Sequence, residues 1–327
     1  MIRKIEIPVT IVAGFLGAGK TTLMNHILNG DHGEKIAVIM NEFGSVSIDD
    51  QLLNKTKYET IHTLKNGCIC CVTQNELEDV LAQLMMKFLN EELVFNRLVV
   101  ELSGMAHPLQ VIHTFFNDQL IRETYHIDCI VTVIDAIHFP KHIMYEENEV
   151  QIGCADVVLV NKANEVEPNI LESVFQQLRE RNAFCEMKAV SFCDVPFSTI
   201  FNRFTFDVHP TMDFVYESVP HLHHAKVESM VLEETRPLDV MKVHHFINDE
   251  LHMLGDNLLR YKGILSIFGK NKRLVLQGLY HLFSSEVGME WKKKEERKSQ
   301  LVLIGKSLPK ERLQQQFSLC ASIKNEV

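Results

Sequence analysis

Along residues 1–205, short runs of aliphatic and β-branched residues alternate with stretches whose apolar positions repeat at helical spacing. The runs at 9–15 (VTIVAGF), 36–43 (IAVIMNEF), 97–103 (RLVVELS), 129–136 (CIVTVIDA) and 156–163 (DVVLVNKA) read as strands. Each is apolar almost throughout rather than at every second position, as expected for strands covered on both faces. The stretches 20–29, 75–93 and 168–182 read as helices. In the second of these, Leu77, Val80, Leu81, Leu84, Met85, Phe88 and Leu89 fall on one stripe. The alternation predicts an α/β domain, a mainly parallel sheet with helices on both faces.

The pattern loosens after Pro196, and Pro210 and Pro220 break the stretch that follows. This predicts a linker or exposed loop over 206–226 between a first domain, 1–205, and a smaller C-terminal α+β domain, 227–327. In the latter, 228–234, 260–269, 272–291 and 300–307 read as strands, and 238–254 and 309–320 as helices. The charge run 292–298 (KKKEERK) reads as a solvated turn.

Composition narrows the function classes. With 46% apolar and 23% charged residues, the chain is ordinary for a globular protein. A net charge of −10 argues against nucleic acid as the main partner. The N-terminal apolar run leads straight into GAGK with no small-residue cleavage site, so it reads as a strand and not as a signal peptide. No apolar stretch is long enough to span a bilayer. A cytoplasmic protein is expected, in which the 8 cysteines serve as thiols or metal ligands rather than bridges.

Residues 14–21 (GFLGAGKT) fit G-x-x-x-x-G-K-[ST], with a strand before and a helix after. Gly14, Gly17, Ala18 and Gly19 let the backbone curl so that N–H groups face a phosphate. Lys20 supplies a point charge to the β and γ oxygens, and the Thr21 hydroxyl is the expected Mg²⁺ ligand. Such a site needs an acidic residue at a neighbouring strand end, and Glu101, followed by Ser103 and Gly104, offers one. The strand at 156–163 runs out through Asn161-Lys162-Ala163-Asn164, close to the Asn-Lys-x-Asp element that reads guanine. Guanine presents two donors to a carboxylate, whereas the Asn164 carboxamide has one acceptor and one donor end. The mismatch costs about 1–3 kcal/mol. A carboxamide suits xanthine better, and Glu165 replaces Asn164 only if the loop shifts by one residue. GTP is expected to bind more weakly or less selectively than usual.

GFLGAGKTT, NEFG, GCICC, NELED, SGMAHP and LLRYKG together resemble the CobW/YjiA family, and the YjiA branch most closely. The resemblance covers nearly the whole chain. It implies a SIMIBI-type P-loop NTPase fold and a GTPase acting as a zinc or cobalt metallochaperone. It also implies that Gly14 to Thr22 bind the phosphates and Mg²⁺, and that 41–50 is a nucleotide-sensitive switch with Glu42 and Asp49 near the γ-phosphate or Mg²⁺. By the same resemblance Lys20, Glu42 and Glu101 serve hydrolysis, Asn161 and Lys162 hold the base, and Cys68, Cys70 and Cys71 bind metal. Two departures stand out. Met40 and Ser45 occupy positions where family members often carry glutamate, which reduces the carboxylate help to Glu42, and Asn164 replaces the aspartate.

In an extended segment Cys68 and Cys70 point to one side and Cys71 to the other, so one metal meets two thiolates unless a turn brings in the third. Thiolates suit Zn²⁺, and a site short of four ligands suits a protein that must release its cargo. Packing of small thiols under a loop is the alternative reading. His221, His223 and His224 are further candidate metal ligands, or merely a solvated cluster. Cys129, Cys154, Cys185, Cys193 and Cys320 read as structural, and His107 as a bystander. The expectation is a slow GTPase that couples its nucleotide state to Zn²⁺ or Co²⁺ binding and delivery to a client metalloprotein. A nucleotide-dependent homo-oligomer is also expected. The alternatives are a non-hydrolysing nucleotide- and zinc-binding module and a small-molecule kinase.

Overall fold

A computed structural model describes residues 6–40, 60–63, 74–203, 226–280, 282–292 and 295–322. The chain divides into two compact units, residues 1–179 with 184–207, and 180–183 with 208–327.

In the first unit seven strands form one sheet: β1 (Ile7–Gly14), β2 (Ile36–Met40), β3 (Thr60–Thr63), β4 (Arg97–Glu101), β5 (Tyr125–Asp135), β6 (Val157–Asn161) and β7 (Glu186–Ala189). Their spatial order is β3-β2-β4-β1-β5-β6-β7, and every pairing is parallel. Helices α1 (Lys20–Asn29), α2 (Gln74–Leu89), α3 (Pro108–Asn117), α4 (Gln119–Thr124), α5 (Phe139–His142), α6 (Glu146–Cys154) and α7 (Pro168–Arg181) connect the strands. Because side chains alternate along a strand, the apolar runs supply two cores at once. Val131, Val133, Val157 and Leu159 pack with Leu23, Met24 and Ile27 of α1 on one side. Ile134, Val158 and Val160 pack with Ile152 of α6 and Val174 and Leu178 of α7 on the other.

The sequence places β5 at 129–136, but the strand begins at Tyr125. His126 and Asp128 hide its start, and Asp128 is buried only because a cation meets it. The fully buried Arg97 donates through Nη1 to Asp128 Oδ2 at 2.7 Å and Thr10 Oγ1 at 3.2 Å, and through Nη2 to Asn202 Oδ1 at 2.6 Å. Its guanidinium lies 4.3 Å from the Phe201 ring centroid. Asp128 also accepts from the backbone N–H groups of Asn202 and Arg203, each at 2.7 Å. The end strands β3 and β7 were not expected from the sequence, and β7 (EMKA) has no apolar run to announce it.

The second unit is an antiparallel sheet in the order β11-β10-β9-β12-β8, from β8 (Val227–Glu234), β9 (Leu258–Ser266), β10 (Lys272–Leu279), β11 (Leu282–Glu290) and β12 (Ser299–Lys306). Tyr261, Leu265, Leu276, Leu301 and Leu303 pack against α8 (Val240–His245), the turns after it, and α9 (Lys310–Leu319). Gly278 lies beneath the Tyr261 ring, where a Cβ would come within 2.1 Å of Cζ. The stretch 238–254, expected as one helix, is helical in three forms. After α8 the chain widens into a π turn at Phe246–Leu251 and then tightens into a 3-10 stretch at His252–Asn257.

Candidate functional site

Every strand of the parallel sheet points the same way, so the loops after β1, β4, β5, β6 and β7 leave from one edge. Ligands of such sheets bind at that edge. The β1–α1 loop turns on glycines. Gly19 has φ +114°, and a Cβ there would meet Asn161 Nδ2 at 2.4 Å. The buried Lys20 donates from Nζ to Gly14 O at 2.9 Å and Phe15 O at 3.3 Å, which holds the ammonium over the loop's own curve. The first turn of α1 carries no acidic side chain and no side-chain cap, so its N–H groups and dipole are available to an anion.

β4 runs beside β1, with Glu101 paired to Val12 and Leu102 N donating to Val12 O at 2.8 Å. Glu101 is 4% exposed. Ser103 is buried, and its Oγ has no hydrogen-bond partner among the described residues. Gly104 closes against the phosphate loop, since a Cβ there would sit 2.7 Å from Leu16 N. Gln151 of α6 holds this turn by donating from Nε2 to Gly104 O at 3.3 Å and Ala106 O at 3.0 Å. Glu101 closes β4, the buried Ser103 follows it and Thr21 lies in the first turn of α1, and all three carry hard oxygen donors of the kind Mg²⁺ accepts.

The far side of the loop is tied down from β6. Asn161 donates from Nδ2 to Ala18 O at 3.0 Å and accepts at Oδ1 from Cys193 N at 3.1 Å. Lys162 adopts a left-handed backbone, φ +58°. It donates from Nζ to Gly17 O at 3.1 Å and Asp135 Oδ2 at 2.6 Å. Asn164 accepts at Oδ1 from Ser191 Oγ at 2.7 Å, and Ala163 N donates to Val190 O at 3.1 Å. The loop after β7 thus braces the loop after β6. Its Phe192 and Cys193 both have φ +54°, a conformation that costs non-glycine residues energy and persists only where the surroundings impose it. The Cys193 Sγ lies 3.4 Å from Gly19 O, and burial pushes this thiol up to about 12.

Sequence reading missed Asp135, Ser191 and Cys193 as members of this rim. Asp135 carried the same signal as Glu101, an acid closing an apolar run. Ser191 and Cys193 carried none once β7 was overlooked. Burial would raise the Asp135 carboxyl, but bonds from Lys162 and His138 outweigh it and hold the group below its ordinary value of 3.8. A carboxyl lowered in the folded state adds stability above its unfolded value and loses it as pH falls through the folded one. Lys162→Met is therefore expected to lower the melting temperature at neutral pH, with the gap to the parent narrowing as pH falls below the ordinary carboxyl value of 3.8. A gap constant across that range would exclude the Lys162–Asp135 pair as its source.

Glu42, Asp49, Cys68, Cys70, Cys71, His221, His223 and His224 lie outside the described residues. Among the described residues no group of three or more His, Cys, Asp or Glu side chains could hold a metal ion. Cys129, Cys154, Cys185, Cys193 and Cys320 are buried free thiols. No helix among the described residues is long and apolar enough to cross a membrane.

A glycine-rich turn between β1 and α1, with an acid on the adjacent β4 and an Asn-Lys pair after β6, defines a P-loop nucleotide-binding protein. The chain matches the family model "CobW/HypB/UreG, nucleotide-binding domain" over residues 8–187 and "Cobalamin synthesis protein cobW C-terminal domain" over 227–321. It belongs to the CobW family. It is 37% identical to "Zinc chaperone YjiA" of Escherichia coli over 95% of this chain and 98% of that protein. It is 29% identical to "Zinc chaperone CobW" of Pseudomonas aeruginosa over 93% and 88% respectively. The crystal structure of Zn(II)-bound YjiA GTPase from E. coli superposes with a TM-score of 0.78 at 33% identity, covering 97% of this chain and 99% of that one.

Proposed function

We propose that this chain binds and hydrolyses GTP at the P-loop and couples its nucleotide state to zinc held at Cys68, Cys70 and Cys71. The zinc is cargo, passed on to a client protein that docks partly on the C-terminal unit. One observation carries the coupling. β2 and β3 pair in parallel, with Met40 opposite Thr63. The segment with Glu42 and Asp49 follows Met40, and the segment with the three cysteines follows Thr63. Met40 and Thr63 thus end neighbouring strands side by side, at the edge that carries the P-loop.

In this reading Lys20 turns from the Gly14 and Phe15 carbonyls to the β and γ oxygens. The loop amides from Gly14 to Thr22 face the same phosphates. Thr21, Glu101 and Ser103 would hold Mg²⁺. When bound, the ion neutralises charge between the β- and γ-phosphates. Asn161 and Lys162 shape the base side, Lys162 through the stem of its side chain. Water attacks the γ-phosphorus and the bridging P–O bond breaks toward GDP. Positioning and electrostatics supply the acceleration, so intrinsic turnover is slow. His221, His223 and His224 offer a second, weaker place for the metal.

The test is a zinc titration with and without a non-hydrolysable GTP analogue. The analogue should change zinc affinity about fivefold or more. Cys70→Ser should abolish that response while nucleotide still binds. If Cys70→Ser leaves both zinc stoichiometry and the nucleotide response unchanged, the coupling is wrong. A zinc-buffering module is the second reading, favoured by Asn164, and a protein that binds zinc without hydrolysing GTP would establish it.

A further inference from the structure

The loops after β6 and β7 contain one pair whose chemistry concerns the base and not the phosphates. Asn161 is fixed between Ala18 O and Cys193 N, and Lys162 between Gly17 O and Asp135. These anchors set the register of the turn that follows, so the residue that faces the β7 loop is Asn164. Glu165 cannot take that place by a one-residue slip without breaking both anchors. Asn164 is exposed, and its oxygen already accepts from the Ser191 hydroxyl.

We propose that Asn164, oriented by Ser191, selects purine nucleotides with a carbonyl at C2, the xanthine type, over guanine nucleotides. This inference rests on nucleotide binding at the P-loop.

Ser191 is a donor to Oδ1, so the amide is turned with its oxygen toward the β7 loop and its NH₂ outward. The oxygen keeps a second lone pair, which can accept a purine N1–H. The NH₂ end needs an acceptor at the neighbouring position. A C2 carbonyl provides one. The guanine C2 amino group instead sets donor against donor, and neither group is satisfied. A base with only hydrogen at C2, hypoxanthine, lacks both the attraction and the clash and should fall between. Adenine has no N1–H and puts its own acceptor against the amide oxygen. Ser191 is thus a positioning residue. Without its hydroxyl the amide is free to rotate and present its oxygen to guanine.

The experiment is calorimetric titration of the full chain with XDP, IDP, GDP and ADP in the presence of Mg²⁺. XDP is expected to bind at least about tenfold more tightly than GDP, with IDP between them. Asn164→Asp should reverse the order of XDP and GDP. Ser191→Ala should narrow their ratio, a readout that a merely structural serine would leave alone. Thermal melts establish that both variants are folded. GDP binding more tightly than XDP in the parent protein overturns the proposal, because it means the amide NH₂ does not face the C2 substituent. So does an Asn164→Asp variant with unchanged ratios whose guanine binding is lost on Glu165→Gln. Preference for ADP overturns it as well. Failure of all four nucleotides to bind refutes the P-loop reading itself, and the two failures are therefore distinguishable.

Discussion

Replacing Arg97 by leucine is expected to lower the unfolding free energy of the first unit by about 3–5 kcal/mol, the usual cost of breaking a buried ion pair from one side. The guanidinium holds Asp128, Thr10 and Asn202 together and covers the Phe201 ring. Without it, the Asp128 carboxylate, which still accepts from the Asn202 and Arg203 amides, loses the cation that meets its charge. The double variant Arg97→Leu with Asp128→Leu should recover part of the loss, because an apolar pair asks for no compensating charge. The probe matters. The single tryptophan, Trp291, lies in the second unit, so its fluorescence reports the wrong half. Urea denaturation followed by far-ultraviolet circular dichroism is the appropriate measurement. A loss under about 1 kcal/mol would mean that the cluster is an ordinary surface-strength pair.

Gly19→Ala is expected to weaken nucleotide binding by about a hundredfold or more. Two costs combine. An L-residue at φ +114° is strained whatever the space around it. The new methyl would also fall 2.4 Å from Asn161 Nδ2. Asn161 is the link between Ala18 and Cys193, so one carbon displaces both the phosphate loop and the loop after β7. Gly17→Ala is the control. It shares the positive φ, +73°, but has no atom within 4 Å of the added Cβ. It should show the strain alone, about 1–2 kcal/mol, and a much smaller loss of affinity in the same titration. Equal effects in the two variants would remove Asn161 from the explanation.

The contrast between these glycines shows what a sequence can announce. The P-loop was legible because its chemistry is local: the glycines, Lys20 and Thr21 sit within eight positions. The partner of Gly19 stands at 161, and no local pattern links the two. The five inner strands were legible because burial on both faces forces long apolar runs. The strands at the ends of the sheet escape that demand. β7 was missed for this reason, and with it the loop carrying Ser191, Phe192 and Cys193. The start of β5 was missed because Arg97 makes a buried aspartate tolerable, a fact written 31 residues away. In the second unit helical periodicity located 238–254 correctly. It did not distinguish α, π and 3-10 turns, since α8 and the π turn keep Val243, Phe246, Ile247 and Leu251 in the core and the 3-10 stretch packs the partly buried Leu254 against them.

The Arg97 cluster has a mechanical side. Asn202 and Arg203 are the last described residues before the chain crosses toward the second unit. A pull along the backbone at that point meets three hydrogen bonds at once, from the Asn202 side chain and from two backbone amides, all rooted in β4 and β5. Bonds loaded together resist more than bonds peeled one at a time. The start of β5 is thereby secured against a load on the chain at that point, and the rim at the opposite edge of the sheet keeps its geometry.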